Sequence, residues 1–130
     1  MSWQPEMDEL RRRQEMTKQM GGADKVKRQH DGGRLTVRER IDRLVDPGSF
    51  REVGSVAGKA EYDGRNDLVH LMPANAVMGR ARIDGRAVAV TGDDFTVRGG
   101  SADATIKEKD IFIERFANQY RVPLVRIIEG

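Results

Sequence analysis

The residues best suited to bind a charged ligand are Gly99, Gly100 and Ser101, read as the lead into a helix. Glycine lets a backbone come close to a ligand, and a helix N-terminus offers free N–H groups and the positive end of a dipole. That chemistry suits a phosphate. Lys107 and Lys109 follow within two turns, where an ammonium could meet the same phosphate or face water. Ser101 also has a plainer reading, as the N-cap of the helix. Neither a complete P-loop nor a full dinucleotide fingerprint is present.

Other reactive side chains give less. Asp93 and Asp94 are adjacent carboxylates, but successive strand residues point to opposite faces, so no shared proton or metal is expected. His30 and His70 both read as loop residues and are too few for a histidine-rich site. With no cysteine there is no disulfide, thiolate ligand or Cys nucleophile. No G-x-S-x-G, H-E-x-x-H or metal-spaced cluster occurs. No catalytic residue and no metal ligand is assigned in this chain.

The elements around these residues follow from local signals. Residues 5–20 read as a helix, with Pro5 in the first turn, Glu6, Asp8 and Glu9 at its positive end and Gly21-Gly22 as its stop. Residues 21–35 read as a polar, glycine-rich connection. Thr36 and Glu39 form a capping box for a helix whose apolar stripe is Val37, Ile41, Leu44 and Val45, ended by Asp46-Pro47-Gly48-Ser49. Residues 50–56 suit a strand, and residues 58–73 read as a charged loop with one apolar patch. Asp84-Gly85 predicts a two-residue hairpin between strands 77–83 and 86–91. A helix over about 102–120 carries Ile113, Phe116, Ala117 and Tyr120 on one face, and residues 124–128 form a last strand.

Composition sets limits. The chain has 130 residues, 23 basic and 21 acidic, for a formal net charge of +2. This gives no electrostatic case for nucleic acid or an anionic membrane. The mean hydropathy is −0.64, and no apolar run is long enough to cross a bilayer. The N-terminus lacks the apolar core of a secretory signal, so a cytoplasmic setting is expected. Aromatic residues are only 5%, which suggests a chain that packs against something else.

Four segments carry a resemblance. They are Arg28-Gln29-His30-Asp31-Gly32-Gly33-Arg34-Leu35-Thr36-Val37-Arg38-Glu39-Arg40-Ile41 with Leu44 to Phe50; the hairpin Gly79 to Arg86; Asp94-Phe95-Thr96-Val97-Arg98-Gly99-Gly100-Ser101; and the strand from Pro123 to Ile128. In this order they resemble the N-terminal portion of carboxyltransferase (beta) subunits of biotin-dependent acyl-CoA carboxylases, of the propionyl-CoA or acetyl-CoA type. Ala74-Asn75-Ala76 and Glu129 depart from the common pattern, where glycines and an Asp are frequent.

The resemblance implies an α/β fold: a crotonase-like (ClpP/crotonase) spiral of ββα units, here incomplete and preceded by N-terminal helices. Residues 1–49 would be the helical segment and 50–130 the first part of the crotonase-like domain. The implied reaction moves a carboxyl group from carboxybiotin to the α-carbon of an acyl-CoA. Biotin would be carried on a partner carrier domain. The implied partners are acyl-CoA, the biotin carboxyl carrier and biotin carboxylase subunit, the remainder of the carboxyltransferase, and further copies in a homo- or hetero-oligomer. Gly99, Gly100, Ser101 and Lys107 are the implied CoA contacts. The 130-residue chain is expected to be inactive alone. The alternative is a non-catalytic CoA-binding or assembly module of the same fold.

Overall fold

The structure is a computed structural model; it describes residues 1–101 and 106–129, with only the backbone of Lys107. Among the described residues, four α-helices and a separate two-stranded hairpin accompany one four-stranded sheet.

α1 (Gln4–Lys18) begins with Pro5 in its first turn and is laced by Asp8–Arg11, Glu9–Arg12, Glu9–Arg13 and Glu15–Lys18 pairs at helical spacing. Thr17 is its one buried residue. α2 (Ala23–Asp31) occupies most of the segment that the sequence suggested to be a glycine-rich connection. Its single inward side chain is a polar one, Gln29, so no apolar stripe announced it.

α3 (Val37–Leu44) starts as expected. Glu39 N donates to Thr36 Oγ1, and Thr36 N donates to the Glu39 carboxylate, both at 3.3 Å. Val37 and Ile41 then face the sheet, each 1% exposed.

The sheet runs β1 (Arg51–Val53), β4 (Ala76–Ile83), β5 (Arg86–Asp93), β6 (Leu124–Ile127). β1, β4 and β5 are antiparallel neighbours, while β6 lies parallel to β5. Asp84 and Gly85 join β4 to β5 with φ of 49° and 78°, the two left-handed residues of a type I′ turn. Asp46 locks that turn: Asp84 N and Gly85 N each donate to its carboxylate at 2.8 Å.

Period-two alternation gives the sheet two apolar faces. Val77, Ala81, Val88 and Val90 meet α3 on one face. Met78 and Ala89 meet Ile113 and Ala117 of α4 (Lys107–Tyr120) on the other. Hairpin, helix and parallel strand therefore form a ββα unit followed by a further strand.

Two further expectations need correction. Residues 58–73 are not a loop but a hairpin, β2 (Gly58–Tyr62) and β3 (Leu68–Pro73), packed beside α1. Every residue of β2 is exposed, so the alternation that marks a strand is missing. Second, Ser101 does not cap α4. The described N-cap of α4 is Ile106, with no side-chain cap, and residues 102–105 of the expected helix lie outside the described residues. Ser101 Oγ instead donates to Arg98 O at 2.8 Å.

Candidate functional site: a basic cleft at the strand ends

β5 and β6 run parallel, and their C-terminal ends are tied by Glu129 N donating to Asp93 Oδ2 at 3.1 Å. In open α/β sheets, ligands bind beside such strand ends. The chain leaving β5 makes the local geometry. Asp94 is 1% exposed and accepts from Thr96 N at 3.0 Å and Thr96 Oγ1 at 2.6 Å, closing a tight turn. Burial pushes the Asp94 carboxyl up from its ordinary value, against the lowering effect of the two Thr96 bonds.

Thr96 also accepts from Gly21 N at 2.9 Å. A side chain at position 21 would meet Thr96 O at 2.0 Å, so only glycine lets the α1–α2 link approach this turn. The link delivers α2 to the same place. The result is a cleft of about 250 Å³ lined by Lys25, Arg28 and Gln29 of α2, then Arg34, Phe95, Thr96, Arg98 and Gly99. Four of these eight residues are cationic and none is acidic. The Arg34 guanidinium lies 4.7 Å from the centre of the Phe95 ring, a cation–π contact that holds it at the cleft wall.

This arrangement can bind an anion with an attached flat or apolar group. The cations attract phosphate, and Phe95 offers a face for stacking. Gly99 sits at φ 64° with open space where a Cβ would stand.

Of the four implied CoA contacts, Gly99 lines the cleft. Gly100 and Ser101 are next in the chain but do not line it, and their N–H groups bond to Val97 O and Arg98 O. Gly100 ends a 3-10 turn, Arg98–Gly100, and Ser101 follows it as its C-cap; neither starts α4. The Lys107 side chain lies outside the described residues.

Lys109, which the sequence left facing a phosphate or water, is buried instead. Its Nζ donates to Ala76 O at 2.6 Å. Burial pushes it down to about 8, partly offset by Glu52 and reinforced by Arg38. Arg38 itself is paired with Glu52 at 2.7 Å. His30 Nε2 donates to the Glu39 carboxylate at 2.7 Å, joining α2 to the capping box, and His70 sits exposed on β3.

Sequence reading missed Lys25, Arg28 and Arg34. The available signal was the i, i+3 spacing of Lys25 and Arg28, legible only once α2 is granted.

Residues 28–130 match the family model described as "Carboxyl transferase domain". The propionyl-CoA carboxylase carboxyltransferase subunit of Haloferax mediterranei is 34% identical over 125 residues, covering 96% of this chain and 24% of that protein. The methylmalonyl-CoA carboxyltransferase 12S subunit of Propionibacterium freudenreichii subsp. shermanii is 38% identical over 105 residues, 79% of this chain and 20% of that protein. A transcarboxylase 12S crystal structure, with methylmalonyl-coenzyme A and methylmalonic acid bound, superposes with a TM-score of 0.84 at 30% identity. It covers 100% of this chain and 26% of that one. The chain thus spans about a quarter of the length of these relatives. With its ββα unit and its four motifs in order, this chain belongs to the carboxyl transferase domain family and has part of a crotonase-like fold.

Proposed function

We propose that this chain forms the CoA-holding part of an acyl-CoA carboxyltransferase. The observation that carries the reading is the cleft lined by Lys25, Arg28, Arg34, Phe95 and Arg98, all but Lys25 on family motif segments, with Arg34 over the Phe95 ring, near the ends of parallel strands. CoA combines phosphates with an adenine ring, the two features that such a cleft suits.

In this reading the cations hold phosphate and Phe95 stacks on the base. Gly99, Gly100 and Ser101 border the ligand, Gly99 as open wall and the other two by setting the path of the loop. Lys107 is proposed as a further cation toward the CoA. The acyl-CoA is thereby oriented for reaction at its α-carbon. Carboxybiotin, presented by a carrier partner, supplies the carboxyl group. The chemistry passes through an enolate, which needs positioned N–H donors. No described residue is assigned that role, so the 130-residue chain is proposed to bind and orient but not to catalyse alone.

Residues 1–49 are read as the helical segment that brings α2 to the cleft, and 50–130 as the first part of the crotonase-like domain. The partners are the biotin carboxyl carrier and biotin carboxylase subunit, the remainder of the carboxyltransferase, and other copies in an oligomer. The propionyl-CoA and methylmalonyl-CoA names of the relatives support a short-chain acyl-CoA as substrate. The cytoplasm is the proposed setting. No described helix is long and apolar enough to cross a membrane.

Calorimetric titration of CoA into the chain tests the reading. Binding that weakens about tenfold or more in Arg28→Ala and Arg34→Ala is expected, as for loss of charge-assisted bonds. An absence of CoA binding overturns it. The eight described lining residues all belong to this chain, which also favours the alternative of a non-catalytic CoA-binding module. Carboxyl transfer by this chain on its own would refute both the inactivity and that alternative.

A further inference from the structure

We propose that the acidic start of α1 docks into an arginine-rimmed cavity beside α4 on a second copy of this chain. The cavity, of about 590 Å³, is separate from the basic cleft and shares no lining residue with it. Ala87, Phe116 and Val122 give it an apolar lining, and Arg51, Arg80 and Arg82 stand around it. No acidic residue lines it.

The three arginines keep their charge uncompensated. Arg51 donates to the carbonyls of Gly48 and Phe50, and Arg82 to that of Gly85. Neither is in an ion pair with a described residue, and Arg80 is exposed with no bonded partner among the described residues. An apolar floor ringed by such cations fits an apolar side chain flanked by carboxylates.

The chain itself carries that ligand. Trp3, Met7 and Leu10 are 78%, 43% and 40% exposed, and their i, i+4, i+7 spacing sets them in one stripe. Glu6, Asp8 and Glu9 lie among them, and the first ten residues contain no Lys or Arg. Asp8 and Glu9 are paired with arginines of their own helix, but Glu6 has no partner among the described residues. Glu6 and Arg80 are thus an unpaired carboxylate and an unpaired guanidinium, each beside exposed apolar surface. No residue of α1 lines the cavity of its own chain, so the match is completed between copies. Trp3 on the aromatic wall beside Arg80 would combine ring contact with cation–π attraction.

Trp3 is the sole tryptophan and reports the contact directly. Sedimentation velocity and tryptophan emission are followed on the 130-residue chain as its concentration rises. The expected result is self-association with a blue shift of Trp3 emission over the same concentration range. Arg80→Glu and Glu6→Arg each weaken association by about tenfold or more, and an equimolar mixture of the two variants restores it, because both docking contacts regain opposite charges. Arg80→Gln and Glu6→Gln, which keep size and remove charge, give a smaller weakening and serve if either reversal unfolds. Trp3 emission that stays that of an indole in water at all concentrations overturns the proposal. So does association indifferent to both reversals, which would mean another surface is used.

Discussion

Gln29 and Glu129 stand 100 positions apart, and Gln29 Nε2 donates to Glu129 Oε1 at 2.9 Å. The same amide donates to Leu35 O at 3.1 Å. Arg34 and Arg40 approach the Glu129 carboxylate at 3.6 and 3.3 Å. α2, the loop after it and α3 are thereby fastened to the end of β6. Gln29 and Arg34 also line the basic cleft, so one carboxylate orders a wall of the candidate site.

Glu129→Ala is therefore expected to destabilise the chain by about 1–3 kcal/mol, the cost of leaving a buried amide and two guanidinium groups without their acceptor. Its side chain is 12% exposed, so water replaces the carboxylate poorly. Urea unfolding measures the loss. Glu129→Gln, which keeps an acceptor oxygen, is expected to lose less. Equal stability of all three proteins would show that the fastening is made elsewhere.

Lys109 sets a pH dependence. Its folded value is pushed down from 10.5 to about 8 by burial, so between those values the unfolded chain binds more protons than the folded one. Stability must then rise with pH across that window, by up to about 1.4 kcal/mol per pH unit. Below about pH 8 the buried cation is a net cost, offset in part by Glu52 and the bond to Ala76 O. Unfolding curves of the wild type and Lys109→Met from pH 7 to 10.5 isolate this group, because every other side chain is common to both. The wild type should gain on the variant as pH rises; parallel curves would show that Lys109 is already neutral or well solvated.

How much of this could be read from sequence depended on how local each cause was. Thr36 with Glu39, and Asp84 with Gly85, act through neighbours within three positions, and both emerged as expected. α2 stayed hidden because its inward contact is an amide whose partner lies 100 residues on. β2 stayed hidden because a strand exposed at every residue lacks alternation. Lys109 looked like a surface cation because nothing nearby in sequence says that β4 and Gly54 will cover it. Gly99, which the sequence offered as the lead into a helix, lines the cleft from a 3-10 turn instead, and the cations that line it with Gly99 include residues 25–34, brought there in part by the Gly21–Thr96 contact.

That contact makes Thr96 a sensitive position. Its hydroxyl donates to Asp94 and accepts from Gly21 N, and the residue is 5% exposed. Thr96→Val keeps the shape but leaves a part-buried N–H and a buried carboxylate each short of a partner, at a cost of about 1–3 kcal/mol. The melting temperature should fall, and CoA affinity with it, because α2 loses its tether. A stable variant with unchanged affinity would show that Gly21 is held by packing alone.

Phe95 and Arg28 separate the two forces in the cleft. Arg28 lines it as a charge and Phe95 as a ring beneath Arg34. Attraction between a guanidinium and phosphate weakens as salt shortens the screening length, whereas stacking does not. Arg28→Ala should therefore weaken CoA binding most at low salt and flatten its salt dependence. Phe95→Leu should weaken binding by a similar factor at every salt concentration, since it removes the stacking face and leaves the four cations. CoA titrations at low and high ionic strength distinguish the two. If Phe95→Leu instead flattens the salt dependence as Arg28→Ala does, then the ring acts mainly by holding Arg34 against the cleft wall, and the base of CoA stacks elsewhere.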